Sequence, residues 1–342
     1  MNQSYKTIWN ESLGAWVATS EITTARGKKS KSSKTIAALA VAAALSAGVA
    51  QAQIVIGTDI NAADNGTAIG MGPGSVVIGA GAGIGFVGGA YNIAIGLNAG
   101  QSVSGNYNSA SGMNAGQNVS GSLNSAIGFR AGQSVTGDYN NASGNVAGRN
   151  VSGNGNNASG YEAGRSVLGS FNNASGFQAG QNVSGSYNNA SGYNAGQNVS
   201  GASNNASGYQ AGQTVTGNDN VAMGSKAGNS ITANRTISIG NLANASKDDA
   251  IAIGTGAIAS GKQSISVGTG NVVSGDNSGA FGDPSTITGT GSYSVGNNNT
   301  ISTNNTFVMG SNVTTTQANS VVLGNASTDR AATLKQRPQS AP

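Results

Sequence analysis

Apolar and polar positions recur along this chain with a short, strict period. From Asn92 onward, registers of sixteen residues begin at Asn92, Asn108, Asn124, Asn140, Asn156, Asn172, Asn188, Asn204 and Asn220. At Thr236 the period drops to fourteen and continues at Ala250, Ser264, Ser278, Ser292, Thr306 and Ser320. The fifth position of every unit is glycine, from Gly96 to Gly324. Helical hairpin repeats need about 33 residues or more, and each interior glycine costs a helix about 1 kcal/mol. Two short strands and two tight turns fit instead. The turns fall at Gly96 and Gly105 in the first unit, where backbone angles closed to other residues are available. Stacked, such units predict an all-β fold, a parallel β-solenoid whose strands pair with their copies about 4.8 Å away, giving a rod of roughly 75 Å.

The columns of the repeat predict what lies inside. In the sixteen-residue units position 3 is Ala (Ala94, Ala110, Ala126, Ala142), position 8 is Ala (Ala99, Ala115, Ala131, Ala147) and position 12 is Val or Ile (Val103, Val119, Val135, Ile231). Small residues stacked in register suit a narrow interior. In the fourteen-residue units positions 2 and 4 are larger (Ile251 and Ile253, Tyr293 and Val295, Phe307 and Met309) and are expected to fill the coil. Between Asn140 and Gly208 the same positions hold Asn and Ser. Two readings stand side by side: a stacked Asn/Ser ladder bonded along the axis, or a face lining a wet channel or subunit seam. One buried Val per coil returns little against the entropy of ordering sixteen residues, so lateral association is expected.

Composition sharpens this picture. The 342 residues include 55 Gly, no Cys and no His, and charged residues make up 8%, against about a quarter in ordinary soluble domains. The net charge of +4 sits at one end, because six of the sixteen Lys and Arg but only two of the twelve acids lie within residues 1–52. The remainder is neutral and lacks the basic footprint of a nucleic-acid binder. Without His, Cys or a column of acids, the repeat assembles neither a catalytic relay nor a metal cluster. The expectation is a protein that is not an enzyme, with no cofactor and no small-molecule substrate.

The N-terminal excess reads as an address. A basic run from Arg26 to Lys34 precedes an apolar stretch from Ile36 to about Ala47 and then Ala50-Gln-Ala52. This is the pattern of a helical secretory signal peptide cut after Ala52, with an apolar stretch shorter than the about 20 residues that span a bilayer. Upstream, Tyr5, Lys6, Ile8, Trp9, Asn10, Gly14, Trp16, Val17, Ala18, Ser20 and Glu21 closely resemble the extended signal peptide region of large Gram-negative autotransporters, which implies slowed export of a long passenger.

The units Ser75-Val-Val-Ile-Gly79, Asn92-Ile-Ala-Ile-Gly96, Ala250-Ile-Ala-Ile-Gly254 and Ser264-Ile-Ser-Val-Gly268 look like the N-S-V-A-I-G motif of the YadA-like head of trimeric autotransporter adhesins. The resemblance covers about residues 54–324. It implies a left-handed parallel β-roll, a homotrimer, and an exported head at the cell surface or outer membrane. Its implied role is attachment to host extracellular matrix, to cell-surface receptors or to like cells. The central Asn-Asn-Ala-Ser-Gly version departs from the motif. After Ser327-Thr-Asp-Arg330, neither the heptads nor the membrane strands of a complete member follow, so a released or truncated head is the alternative expectation, with a non-adhesive spacer as the rival role. The expected organisation is an extended signal peptide over 1–52, an irregular start over 53–91, head repeats over 92–324 and a vestigial neck or tail over 325–342.

Other motifs fall to simpler readings. Gly83-Ile-Gly-Phe-Val-Gly88 has dinucleotide-turn spacing, but no helical pattern follows and no acid lies between Asp64 and Asp138, as that chemistry needs. Sequons such as Asn118-Val-Ser120 are generated by the repeat itself. Arg149 and Arg165 stand at position 10, where Gln181 and Gln197 stand in later units, and Tyr161, Phe177, Tyr193 and Tyr209 share position 6. The arginine and glutamine column is a candidate receptor-contacting stripe. The aromatic column is either a contact ladder or packing against a neighbouring subunit.

Overall fold

The computed structural model describes residues 72–329 in full and, before them, the strands Tyr5–Asn10, Ala15–Ser20 and Ile54–Ile56. The chain divides into two compact units, Met1–Val49 and Ala50–Pro342. In the first, Tyr5–Asn10 and Ala15–Ser20 pair antiparallel, with Tyr5 opposite Ser20 and Asn10 opposite Ala15. Both stretches are rich in aromatic and β-branched residues, which favour strands. The expected helical signal peptide is therefore corrected at these two stretches, which are strands. The apolar stretch from Ile36 to Ala47 and the cut after Ala52 lie outside the described residues.

The second unit is a parallel β-solenoid of about 16 turns, without helix in its described part. Its main ladder starts with Ile54–Ile56 on Val76–Ile78, passes through Ile93–Ile95 and Ser109–Ser111, and ends with Phe307–Met309 on Val321–Leu323. Each strand pairs with the copy one coil away in strict column register, as in Ala94 with Ala110 and Ala110 with Ala126. The pairings follow chain order and stop at each end, so the ladder is open. A second ladder runs from Val119–Ser120 to Val183–Ser184. After the change of period a third runs from Asn244–Ala245 to Thr300–Ile301. The strands are three and two residues long, shorter than the four or five residues expected from the repeat length, because more of each coil is turn.

The extra turn residues stack as regularly as the strands. In the second coil the backbone N–H groups of Asn114, Gly116 and Asn118 donate to Leu97 O, Ala131 O and Gln101 O, each at 2.8 Å. Corners stacked in this way leave few backbone groups unpaired, which is what allows so much turn in a narrow rod. Glycine is required at position 5. Gly96 has φ 126°, and a Cβ there would stand 2.7 Å from Gly112 O in the next coil. The segment with dinucleotide-turn spacing is one more coil, with Gly83 N donating to Ala99 O at 2.8 Å and Val87 bridging Ser104.

Inside lie the expected columns: Ala94, Ala99 and Val103 and their copies are all buried. Positions 2 and 4 of the fourteen-residue coils are a correction. Strand pleating puts alternate side chains on opposite faces, so with position 3 inside, its two neighbours face out. Ile253, Val295, Met309 and Leu323 are exposed, like Ile93 and Ile95 near the other end. The interior of these shorter coils is closed instead by Val273, Ile287, Ile301, Val308 and Val313. The sixteen-residue coils leave a narrow apolar void of about 40 Å³ along the axis, reaching from Phe86 to Ile231.

Candidate contact surface

Position 1 organises the surface from within. Asn92 and its copies to Asn220 are buried. Asn156 shows the pattern: its backbone N and its Nδ2 both donate to Asn140 Oδ1 at 3.0 Å, and Nδ2 also donates to Gly169 O of its own coil at 2.9 Å. Each amide thus ties its coil shut and hangs it on the preceding one. The column ends where Thr236 donates to Asn220 Oδ1 through N and Oγ1. Position 2 carries a second, outer ladder. Asn141 Nδ2 donates to Asn157 Oδ1 at 3.1 Å, and the series continues through Asn173 and Asn189 to Asn205. Of the ladder expected at positions 2 and 4 of the central coils, the position-2 asparagines are bonded along the axis, on an exposed face.

The position-6 aromatics form one continuous stack. Ring centroids of Tyr161 and Phe177, Phe177 and Tyr193, and Tyr193 and Tyr209 are 5.0, 4.9 and 5.4 Å apart, with planes within 17° of parallel. All four rings are exposed. A second aromatic column, missed in the sequence, occupies position 16, where Tyr91 stacks on Tyr107 and Phe171 on Tyr187. Its signal was the recurrence of Tyr107, Tyr139, Phe171 and Tyr187 just before unit starts, with Leu123 and Gly155 in the coils between. The two columns flank the main ladder on either side.

The position-10 residues do not all behave alike. Gln181 Nε2 donates to Glu162 O at 3.1 Å and Glu162 Oε2 at 3.0 Å, while Gln197 Nε2 donates to Gln178 O at 3.0 Å. Both glutamines are half-buried struts between coils. Arg165 reaches Glu162 Oε1 at 3.2 Å. The hydrogen bond from Gln178 holds the Glu162 carboxyl below its ordinary value against the opposing effect of burial, with Gln181 and Arg165 adding to it. Arg149, one coil earlier, has no acidic partner among the described residues. The sequence reading also missed Arg130, whose guanidinium carbon lies 4.9 Å from the Phe129 ring centroid. It shares position 7 with Val146 and Glu162.

The surface as built can present repeated, weak, rigidly spaced contacts along one rod. Among the described residues no group of three or more acids, histidines or cysteines could hold a metal ion. Comparison of the chain with curated proteins gives no match. Residues 1–50 match the family model described as the Extended Signal Peptide of Type V secretion system, so the chain begins with the export segment of that secretion system and a β-solenoid follows it.

Proposed function

We propose that this chain is a surface adhesin of the trimeric autotransporter type, its solenoid serving as a YadA-like head. In this reading it attaches the bacterium to host extracellular matrix, to cell-surface receptors or to like cells. The observation that carries it is the outward apolar stripe at positions 2 and 4. Ile93, Ile95 and Ile127 lie toward one end, and Met223, Ile253, Val295, Met309 and Leu323 toward the other, all exposed on one ladder face. Exposed apolar stretches of this kind, one toward each end of the face and separated by the Asn/Ser coils, mark an association site. Two further copies of the chain, laid face to face along the rod, would cover it.

The extended signal at residues 1–50 supports export by the matching route, and display at the cell surface is part of the same proposal. The solvated edges, with their stacked rings and arginines, are then left for attachment. The reading assigns the protein no catalysis, cofactor, nucleic-acid partner or small-molecule substrate.

Light scattering on the purified exported chain, combined with attachment to immobilised matrix proteins and cultured cells, tests the proposal. A trimer that attaches is expected. A stable monomer refutes the assembly, and a trimer that attaches to nothing leaves a non-adhesive spacer.

A further inference from the structure

Three neighbouring coils depart together from the repeat, on one edge of the rod. Position 7 holds Asn98 and Asn114 in the first two sixteen-residue coils, then Arg130, Val146 and Glu162, before returning to Gln178 and Asn194. Position 10 holds Gln101, Gln117 and Gln133, then Arg149 and Arg165, before returning to Gln181. Elsewhere a position-10 side chain reaches position 7 of the preceding coil, nineteen residues back: Gln117 to Asn98 O, Gln133 to Asn114 O and Gln181 to Glu162 O. Arg149 follows Arg130 at that same separation. Two cations therefore share one corner, and neither has an acid partner among the described residues. The nearest acids in the chain are otherwise engaged, Asp138 at a different corner with Ser122 N and Glu162 with Arg165 and two glutamines.

Val146, between Arg130 and Glu162 in the column, is buried with φ 59°, the left-handed turn that its whole column takes, from Asn98 at 54° to Gln210 at 54°. One further feature accompanies the arginines. In the neighbouring column the aromatic series is interrupted once. Exposed Asn145 separates Phe129 from Tyr161, which leaves an opening of two coil steps, roughly 9.6 Å. The Phe129–Arg130 pair bounds it on one side and the unstacked face of Tyr161 on the other.

We infer that Arg130, Arg149 and Tyr161 form a subsite for an acidic polysaccharide, one pyranose ring stacking on Tyr161 while its carboxylate or sulfate pairs with the two guanidinium groups. Arginine forks match such oxyanions through charge-assisted hydrogen bonds. An aromatic face covers the apolar face of a sugar. The inference rests on the adhesive reading and names the class of ligand that this edge takes.

The test is binding of the purified exported chain to immobilised heparin, hyaluronan, neutral dextran and a DNA duplex over a salt series. Heparin carries sulfates and hyaluronan only carboxylates, so the two arms identify the anion. Retention on heparin or hyaluronan that weakens with salt is expected, with none on dextran. Arg130→Asn combined with Arg149→Gln, and separately Tyr161→Asn, should each lower affinity at least about tenfold. Arg235→Gln, at the distant change of period, should not. Asn114 and Gln133 hold the same columns naturally, so the arginine variants should fold, and Arg149→Gln alone is the milder second variant. Failure of the wild type to bind either acidic polysaccharide overturns the inference, as does unchanged affinity in the arginine variants. DNA binding as tight as heparin binding and indifferent to Tyr161→Asn also overturns it, since the patch would then be merely polyanionic. If the double variant still attaches to cells as the wild type does, the adhesive reading stands and this one falls.

Discussion

Asn156 and Asn140 sit one coil apart, and a single oxygen, Asn140 Oδ1, accepts both the backbone N–H and the side-chain Nδ2–H of Asn156 at 3.0 Å. Their link couples coil closure to coil stacking, because the same Nδ2 also donates to Gly169 O. Removing the Asn156 side chain strands two groups at once, the part-buried Gly169 O and the buried N–H of Asn172, which donates to Asn156 Oδ1, while Asn140 Oδ1 keeps only the backbone N–H of Asn156.

Asn156→Ala is accordingly expected to destabilise the solenoid by about 2–4 kcal/mol, since each buried unpaired group costs about 1–3 kcal/mol. Asn156→Thr should cost less, because Thr236 shows that a threonine can take both bonds to the preceding Asn. Urea unfolding of the two variants, followed by circular dichroism, measures the difference. Equal losses would mean that the side-chain bond to Asn140 Oδ1 contributes nothing.

Gly176→Ala tests the turn at position 5. Gly176 has φ 128°, and an added Cβ would lie 2.6 Å from Gly192 O, a backbone atom of the next coil. Strain of this kind costs about 1–3 kcal/mol, and the fixed backbone neighbour puts this site toward the upper end. A lowered melting temperature with unchanged strand content is the expected result.

The axial void gives a prediction of the opposite sign. Val183 lines it, and Ile231 already occupies the same column fully buried. Val183→Ile adds one methylene to apolar empty space, worth about 0.8 kcal/mol when fully buried. A stability equal to or below that of the wild type would show that the void is too narrow at that coil.

Acid should weaken the Glu162 junction. The folded-state pKa of Glu162 lies below its ordinary value of 4.5, first because Gln178 donates to the carboxylate, and further through Gln181 and Arg165. A carboxyl lowered on folding stabilises above its unfolded pKa, and that contribution disappears as pH falls through the folded value. Melting of the wild type and Glu162→Gln should therefore differ most above pH 4.5 and converge in more acidic buffer. A gap that widens with acid contradicts this assignment.

Outward-facing Ile251 and Ile253 can be exchanged for the residues the central coils carry there. Ile251→Asn combined with Ile253→Ser should leave the circular dichroism spectrum of the chain intact, because neither side chain fills the coil. On the proposed assembly the pair of changes weakens association, read as a shift of the trimer to lower mass on dilution. Loss of strand signal instead would place these residues in the fold and not on its face.

Much of this architecture was legible before any coordinates. Glycine at a constant place in each unit, with Ala94, Ala99 and Val103 repeated in register, determines a stacked coil with a narrow interior. Backbone angles and side-chain volume are local properties, so identical units close in the same way. The drop from sixteen to fourteen at Thr236 was equally visible. What it does inside, exchanging a corner for a strand such as Asn244–Ala245 and an Ala/Val core with a narrow void for one closed by Val273 and Ile287, was not.

Tertiary structure alone decided which way alternate residues point and which distant residues meet. Ile253 and Ala252 are adjacent in the chain, but pleating buries one and exposes the other, and no property of isoleucine forecasts the outward choice. Asn140 and Asn141 are chemically identical, yet one is buried with all its bonds inward and the other lies on the surface. Arg130 and Arg149 belong to different columns, nineteen residues apart, and only the stacking offset brings them to one corner. Periodicity determines a residue's place within its coil; its neighbours across coils follow from how the coils are laid on one another.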